Sequence, residues 1–486
     1  MNENIKILEP KELWKNFTDL NAVPRASKKE KRVIAFIKKF GNNLGLDTIE
    51  DEVGNVIIRK PATQGMENRK PVVLQSHLDM VHQKNNDVDF DFDTQGIDMF
   101  IDGDWVRANG TTLGADNGLG VATIMAIFES DIISHPALEA LFTIDEETGM
   151  TGALGLKGGI LHGDILLNLD TEEDDEIGVG CAGGIDVTAS RGYTEVNTPS
   201  NSESYRIAVK GLQGGHSGMD IILGLGNANK IMNRLLFAVN DSINLASLQG
   251  GSLRNAIPRE SDATLVVEKN NVDKFLTGIE NAKTQIVDEY KLLDPNLSIK
   301  LQKLEKLPET IMNKNDQKAF IQAIYAAHNG VYRMSPAISD LVETSNNIAK
   351  VTLQDGKIKV ECLTRSSVES SKMDMANTLK AVFELADFNV DFSGSYPGWA
   401  PKMDSPILKV LESIYEKLND KKAKVAACHA GLECGILGQN YPKMDMISFG
   451  PTIRGAHSPD ERASISSTQK YWNFVLEILK NIPVRE

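Results

Sequence analysis

The chain has 486 residues, 41% hydrophobic and 24% charged, which excludes a fibrous, disordered or disulfide-scaffold protein and leaves room for about three domain-equivalents. Lys and Arg number 52 against 67 Asp and Glu, so the formal net charge of −15 repels phosphate backbones and argues against nucleic-acid binding. Four irregularly placed cysteines (Cys181, Cys362, Cys428, Cys434) fit a reducing compartment. The first residues show no basic segment followed by an apolar run, and the longest apolar stretch, 120–128, is too short for a bilayer. The expectation is a soluble cytoplasmic protein without membrane contact.

Residues 31–40 have helical spacing, 55–59 read as a strand, and 71–75 read as a buried strand ending at Ser76-His77. Residues 118–128, small and apolar all round, predict a buried helix. Strands follow over 137–144, leading into acids, and over 165–169, ending at Asp170. Strands alternating with helices imply an α/β domain with a largely parallel sheet flanked by helices. His77, Asp145 to Glu147 and Asp170 therefore sit at strand C-termini, where open α/β sheets build their sites. The polar stretch 193–202 reads as a linker. Beyond it, 205–209, 263–267, 348–353 and 357–362 alternate like strands, with helical patterns at 272–291 and 316–328. A helix over 406–419 returns the texture of the first part. The simplest organisation is one domain from 1–190 and 399–486, with an α+β domain, 191–398, inserted in the chain.

Several strings carry chemistry. In Ser76-His77-Leu78-Asp79, extended chain puts His77 and Asp79 on one side, so the carboxylate is placed to orient a ligating imidazole. Asp116, in the glycine-rich run before the buried helix, reads as a helix cap or a cation ligand. Glu146 and Glu147 repel each other; one suits metal binding while its neighbour works as a base. Asp170 directly follows its strand, whereas the acids after it read as a solvated loop. His457 lies in a loop with turn residues on both sides, and His216 in a glycine-rich segment of the inserted domain. Two His with several carboxylates suit two zinc ions sharing a bridging carboxylate.

The strings LQSHLDMV, TTLGADNGLGVA, FTIDEETGMTGA, LLNLDTEE, KGLQGGHSGMDI, GSLRNAIP, HAGLECGIL and GPTIRGAHSPDE, in this order, resemble the M20 family of dinuclear zinc peptidases over nearly the whole chain, and most closely its aminoacyl-histidine dipeptidase branch. That resemblance implies a zinc-peptidase catalytic domain with an inserted lid. It implies His77, Asp116 and Asp170 around one metal and Asp116, Glu147 and His457 around the other. Asp79 would orient His77, Glu146 would be the general base, and a cis peptide would follow Asp116. His216 would donate to the oxyanion, and Asn255 would contact substrate. Among groups for the substrate's charged ends, Arg365 is a candidate for the carboxylate, Glu433 for the α-ammonium, and Gly431 for close backbone approach. His429 is read as supporting its loop. His82 receives no metal role, and His135, His162 and His328 match no motif. The expected activity is hydrolysis of dipeptides, Xaa-His included, with two Zn2+ per chain (Mn2+ or Co2+ as substitutes). The family's monomers and dimers leave a homodimer open. The alternatives are a tripeptide aminopeptidase, an N-acyl amino-acid hydrolase, or a metal-binding scaffold without catalysis.

Overall fold

Apolar runs bounded by polar residues become the strands of two large sheets and three smaller ones in the computed structural model, which describes residues 2–485. The chain divides into two units: Met1–Gly180 with Pro401–Ala427 and Leu432–Glu486, and Cys181–Ala400 with Cys428–Gly431.

The first unit is a mixed α/β fold with a central, mostly parallel sheet of eight strands. At its centre Leu138–Thr143, Val72–His77, Ile165–Asn168 and Asp445–Ser448 run parallel. Antiparallel strands flank them, including Val56–Lys60 and Glu176–Cys181. Val72–His77, Leu138–Thr143 and Ile165–Asn168 are buried at every position, which explains why they read as continuous apolar runs rather than alternations. The helix Ala115–Glu129 is buried almost all round, as its composition predicts, and packs on Lys11–Asn21 and on Val72–His77. Pro406–Asn419 begins where Ser405 Oγ accepts from the Leu408 amide and proline occupies the first turn, the two standard start signals. A small four-stranded sheet joins Met99–Asp102, Trp105–Ala108, Arg462–Ser464 and Ile453–Arg454. His457 lies on the hairpin between the last two.

The second unit carries a nine-stranded sheet, antiparallel at every registered pairing, with the helices Ala228–Val239, Val272–Tyr290, Lys314–Ala326 and Glu369–Glu384 packed on it. Its core gathers Val187, Ile207, Leu235, Leu265, Phe275, Phe320, Val360 and Leu379. The unit begins ten residues before the expected boundary at 190, because Gly183–Gly192 pairs along its whole length with Lys357–Ser366. The polar stretch taken for a linker is instead surface structure: Glu195–Asn197 is an exposed strand paired with Thr310–Met312. Residues 428–431 also join this unit, where the Ala182 amide meets the carbonyls of Cys428 and Ala430.

Candidate active site

Parallel strands deliver their last residues to one edge of the first unit's sheet. His77 ends its strand and is 1% exposed. Glu146 and Glu147 follow Leu138–Thr143, and Asp170 follows Ile165–Asn168. Asp116 stands in the first turn of Ala115–Glu129 with non-helical angles (φ −80°, ψ 113°), and its peptide to Asn117 is cis. His457 joins them from its hairpin with φ +64°.

Asp116 faces both histidines. Its Oδ1 lies 3.2 Å from His77 Nε2, and its Oδ2 lies 3.2 Å from His457 Nε2. Asp170 Oδ1 is 3.5 Å from His77 Nε2, and Glu147 Oε2 is 3.0 Å from His457 Nε2. Ligand atoms of His77, Asp116 and Asp170 lie within 4.8 Å of one another, as do those of Asp116, Glu147 and His457, and those of His77, Glu146 and Glu147. On the other side of its ring, His77 Nδ1 meets the Asp79 carboxylate at 3.4 Å and the Asp79 carbonyl at 3.2 Å. Asp79 also accepts the amides of Glu146 (3.1 Å) and Glu147 (3.3 Å), so one buried carboxylate orders the imidazole and the acidic turn together. Asp145, the third acid of that turn, points elsewhere: it accepts from the hydroxyls of Thr148 and Thr151. Asn117 Nδ2 bridges the Leu169 carbonyl (2.8 Å) and the Asp170 carboxylate.

The electrostatics follow from gathering five carboxylates around two imidazoles. Burial, then repulsion from Asp170, Glu433 and Glu147, pushes Glu146 well above the usual carboxylate range, against the pull of His77. Burial likewise raises Asp170. For Asp116 burial also acts upward, but the hydrogen bonds with His457 and His77 outweigh it and hold the group low. His457, bonded to Asp116 and Glu147, rises to about 11. Glu147 Oε1 is buried without a hydrogen-bond partner. An unpartnered buried carboxylate oxygen in a surplus of negative charge is costly unless a cation meets it. Oxygen and imidazole donors at these separations fit divalent metal ions.

Residues of the same strands form a buried polar layer. Gln75 donates to Glu433 Oε2 (2.6 Å) and Thr143 Oγ1 (3.2 Å), and Thr143 donates to Glu433 Oε2 (2.6 Å). Asn168 donates to Gln75 and Ser448 to Asn168, both at 2.5 Å. Glu433 is wholly buried there, lifted to about 8 by burial, with Oε1 unpartnered. Glu172, expected in a solvated loop, is half-buried and raised to about 8, chiefly by burial and then by Asp116.

Other candidates belong to the second unit. Arg365 is 5% exposed, donates to Tyr396 Oη at 2.7 Å, leaves Nε unpartnered and forms no ion pair among the described residues. His216 Nδ1 accepts the amides of Gly218 and Met219, so its Nε2 is the free edge. Burial, then Arg365, lowers His216, and burial followed by Arg365 and His216 takes His429 down to about 3. His429 Nε2 meets Ser345 Oγ at 2.8 Å, while its Nδ1 is unpartnered. Asn255 is exposed and its carbonyl accepts the Ser217 amide; Gly431 lies in the short 428–431 segment. The histidines without motifs take local partners: His162 meets Glu139, His135 the Pro136 carbonyl and His328 the Gly330 carbonyl. His82 packs edge-on against Phe92. Sequence reasoning passed over Arg25 and Glu461, both buried beside the Asp116 turn and both bonded to backbone groups, contacts that leave no pattern of residue types.

Residues 73–481 match peptidase family M20/M25/M40. The cytosol non-specific dipeptidase of Escherichia coli (strain K12) is 42% identical over 480 residues, 98% of this chain and 99% of that protein. The crystal structure of aminoacylhistidine dipeptidase from Vibrio alginolyticus superposes with a TM-score of 0.93 at 42% identity, covering 100% of both chains. Aminopeptidase PepT from Bacillus cereus shares the fold alone, with a TM-score of 0.58 and 15% identity over 98% of this chain and 99% of that one.

Proposed function

Since the chain belongs to peptidase family M20/M25/M40, we propose that it is a metal-dependent dipeptidase acting on substrates with free ends, Xaa-His dipeptides included. The observation that carries the chemistry is Asp116, whose two oxygens each lie 3.2 Å from a different histidine. On this reading His77, Asp116 and Asp170 would hold one ion and Asp116, Glu147 and His457 the other, with Zn2+ favoured by the mixed imidazole and carboxylate donors. Bound metal would polarise the scissile carbonyl and make water easier to deprotonate. The protein's own groups do the rest. Asp79 fixes the His77 ring and the turn that presents Glu146. Glu146 takes the proton of the attacking water and returns it to the leaving amine. No helix among the described residues is long and apolar enough to cross a membrane, and a cytoplasmic setting is part of the proposal.

In the second unit, His216 is the proposed donor to the oxyanion, Asn255 and Gly431 line the substrate, and Arg365 receives its carboxylate. A buried guanidinium that forms no ion pair among the described residues and leaves Nε unpartnered supports the last role. Arg365→Lys loses the planar fork, so KM should rise by about 10–100-fold, the worth of one charge-assisted hydrogen bond, with kcat much less affected. An unchanged KM in steady-state assays would remove Arg365 from the carboxylate site. Glu433 retains one free oxygen for an ammonium.

The activity is tested on one preparation, metal-loaded and then chelated, against Xaa-His and other dipeptides, tripeptides and N-acetyl amino acids. Dipeptides should turn over fastest, chelation should abolish the rate, and Zn2+ should restore it. Full activity in demonstrably metal-free protein, or a preference for tripeptides or N-acetyl substrates, would overturn this reading.

A further inference from the structure

Glu461 closes the motif that contains His457, yet the metal-site reading gives it nothing to do. The residue is 2% exposed. Oε2 accepts the amides of Leu113 (2.7 Å) and Gly114 (2.9 Å), and Oε1 those of Ala115 (2.7 Å) and Asp116 (3.2 Å). Four consecutive amides thus converge on one carboxylate at the start of Ala115–Glu129, where N–H groups lack intrahelical partners and the helix end favours negative charge. Ordinary helix geometry does not hold this segment: Gly114 is left-handed (φ +71°) and Asp116 is extended in ψ. From the other side the buried Arg25 guanidinium binds the carbonyls of Leu78, Asp79 and Gly114. Gly114 is therefore gripped at its amide by Glu461 and at its carbonyl by Arg25.

Glu461 is also tied to His457. Its amide donates to the Ser458 carbonyl at 3.0 Å, and the Ser458 amide and hydroxyl both donate to the Gly455 carbonyl. These bonds close a tight turn around His457. One short segment therefore presents a histidine to Asp116 Oδ2 and clamps the Asp116 backbone.

We propose that Glu461 is a positioning residue that fixes Asp116 against His457 by holding the backbone of Leu113–Asp116. This rests on the metal-site reading of Asp116 and His457, and adds that their joint affinity for metal depends on a carboxylate that ligates nothing.

The test is Glu461→Gln in the full chain. Glutamine keeps the shape but turns an NH2 group against two of the four amide donors. Three quantities are read: affinity for Zn2+ alone by competition with a chelator, amide hydrogen exchange over 113–116, and thermal stability. Affinity should fall by about 10–100-fold, as is typical when a group supporting a metal ligand is lost. Exchange at 113–116 should accelerate, and excess Zn2+ should recover most of kcat without a change in KM. A packing role alone would lower thermal stability and leave the metal affinity of the folded protein unchanged. Affinity within twofold of wild type overturns the proposal. Should Glu461→Gln not accumulate folded, Glu461→Asp, which keeps the charge but withdraws it by one methylene, is judged by the same threshold. A wild-type chain that binds no Zn2+ would overturn the site reading itself, an outcome distinct from equal binding by both proteins.

Discussion

Glu146→Gln keeps its metal and loses about 10²–10⁴ in kcat, the usual contribution of a positioned general base. The amide matches the carboxylate in size, so the Asp79 clamp on the Glu146 and Glu147 backbone survives. What disappears is the ability to accept a proton from water. Burial, with the nearby Asp170, Glu433 and Glu147 and against the pull of His77, pushes Glu146 above the usual carboxylate range. The structure also supplies the competing outcome. Glu146 lies within 4.8 Å of ligand atoms of both His77 and Glu147, a third grouping able to receive an ion. Metal analysis beside the kinetics separates the two. Full metal content with lost turnover supports the base; stoichiometric metal loss recasts Glu146 as a ligand. A fall in kcat and kcat/KM together places the missing interaction in the transition state.

What the sequence made legible followed from position in the strands. His77, Glu146, Glu147 and Asp170 stand directly after apolar runs, and a parallel sheet buried on both faces turns such runs into strands whose ends share one edge. Asp116 was less sharply marked. A first-turn acid usually caps a helix, but here Glu461 takes the free amides, including that of Asp116 itself, and so releases the Asp116 side chain to face the histidines. Glu461 was invisible because its partners are amides, which every residue type offers. The division falls at Gly180 rather than at the expected 190 for a related reason. Polar composition at 193–202 reported exposure, while the hydrogen bonds of Gly183–Gly192 to Lys357–Ser366 decide which unit the chain has entered. The same limit separates Gly431 from Glu433, neighbours in one motif that belong to different units.

Asp116→Ala should empty both metal positions and reduce hydrolysis to background. The groups His77–Asp116–Asp170 and Asp116–Glu147–His457 have one member in common, and that member offers a different oxygen to each histidine. Losing a group that merely supports a ligand typically costs about 10–100-fold in metal affinity, so losing the carboxylate proposed to serve two ions should exceed this for each of them. His457→Ala provides the contrast. It strips the second group to Asp116 and Glu147 but leaves His77 Nε2 between Asp116 and Asp170. On the proposed two-ion reading, metal per chain should therefore fall from two to none in Asp116→Ala and from two to one in His457→Ala, with folding of each variant checked by thermal denaturation. Loss of a single ion from Asp116→Ala would mean that the two positions are independent and that Asp116 serves only one. Equal loss in both variants would mean that the ions bind as a pair and that neither position holds metal alone.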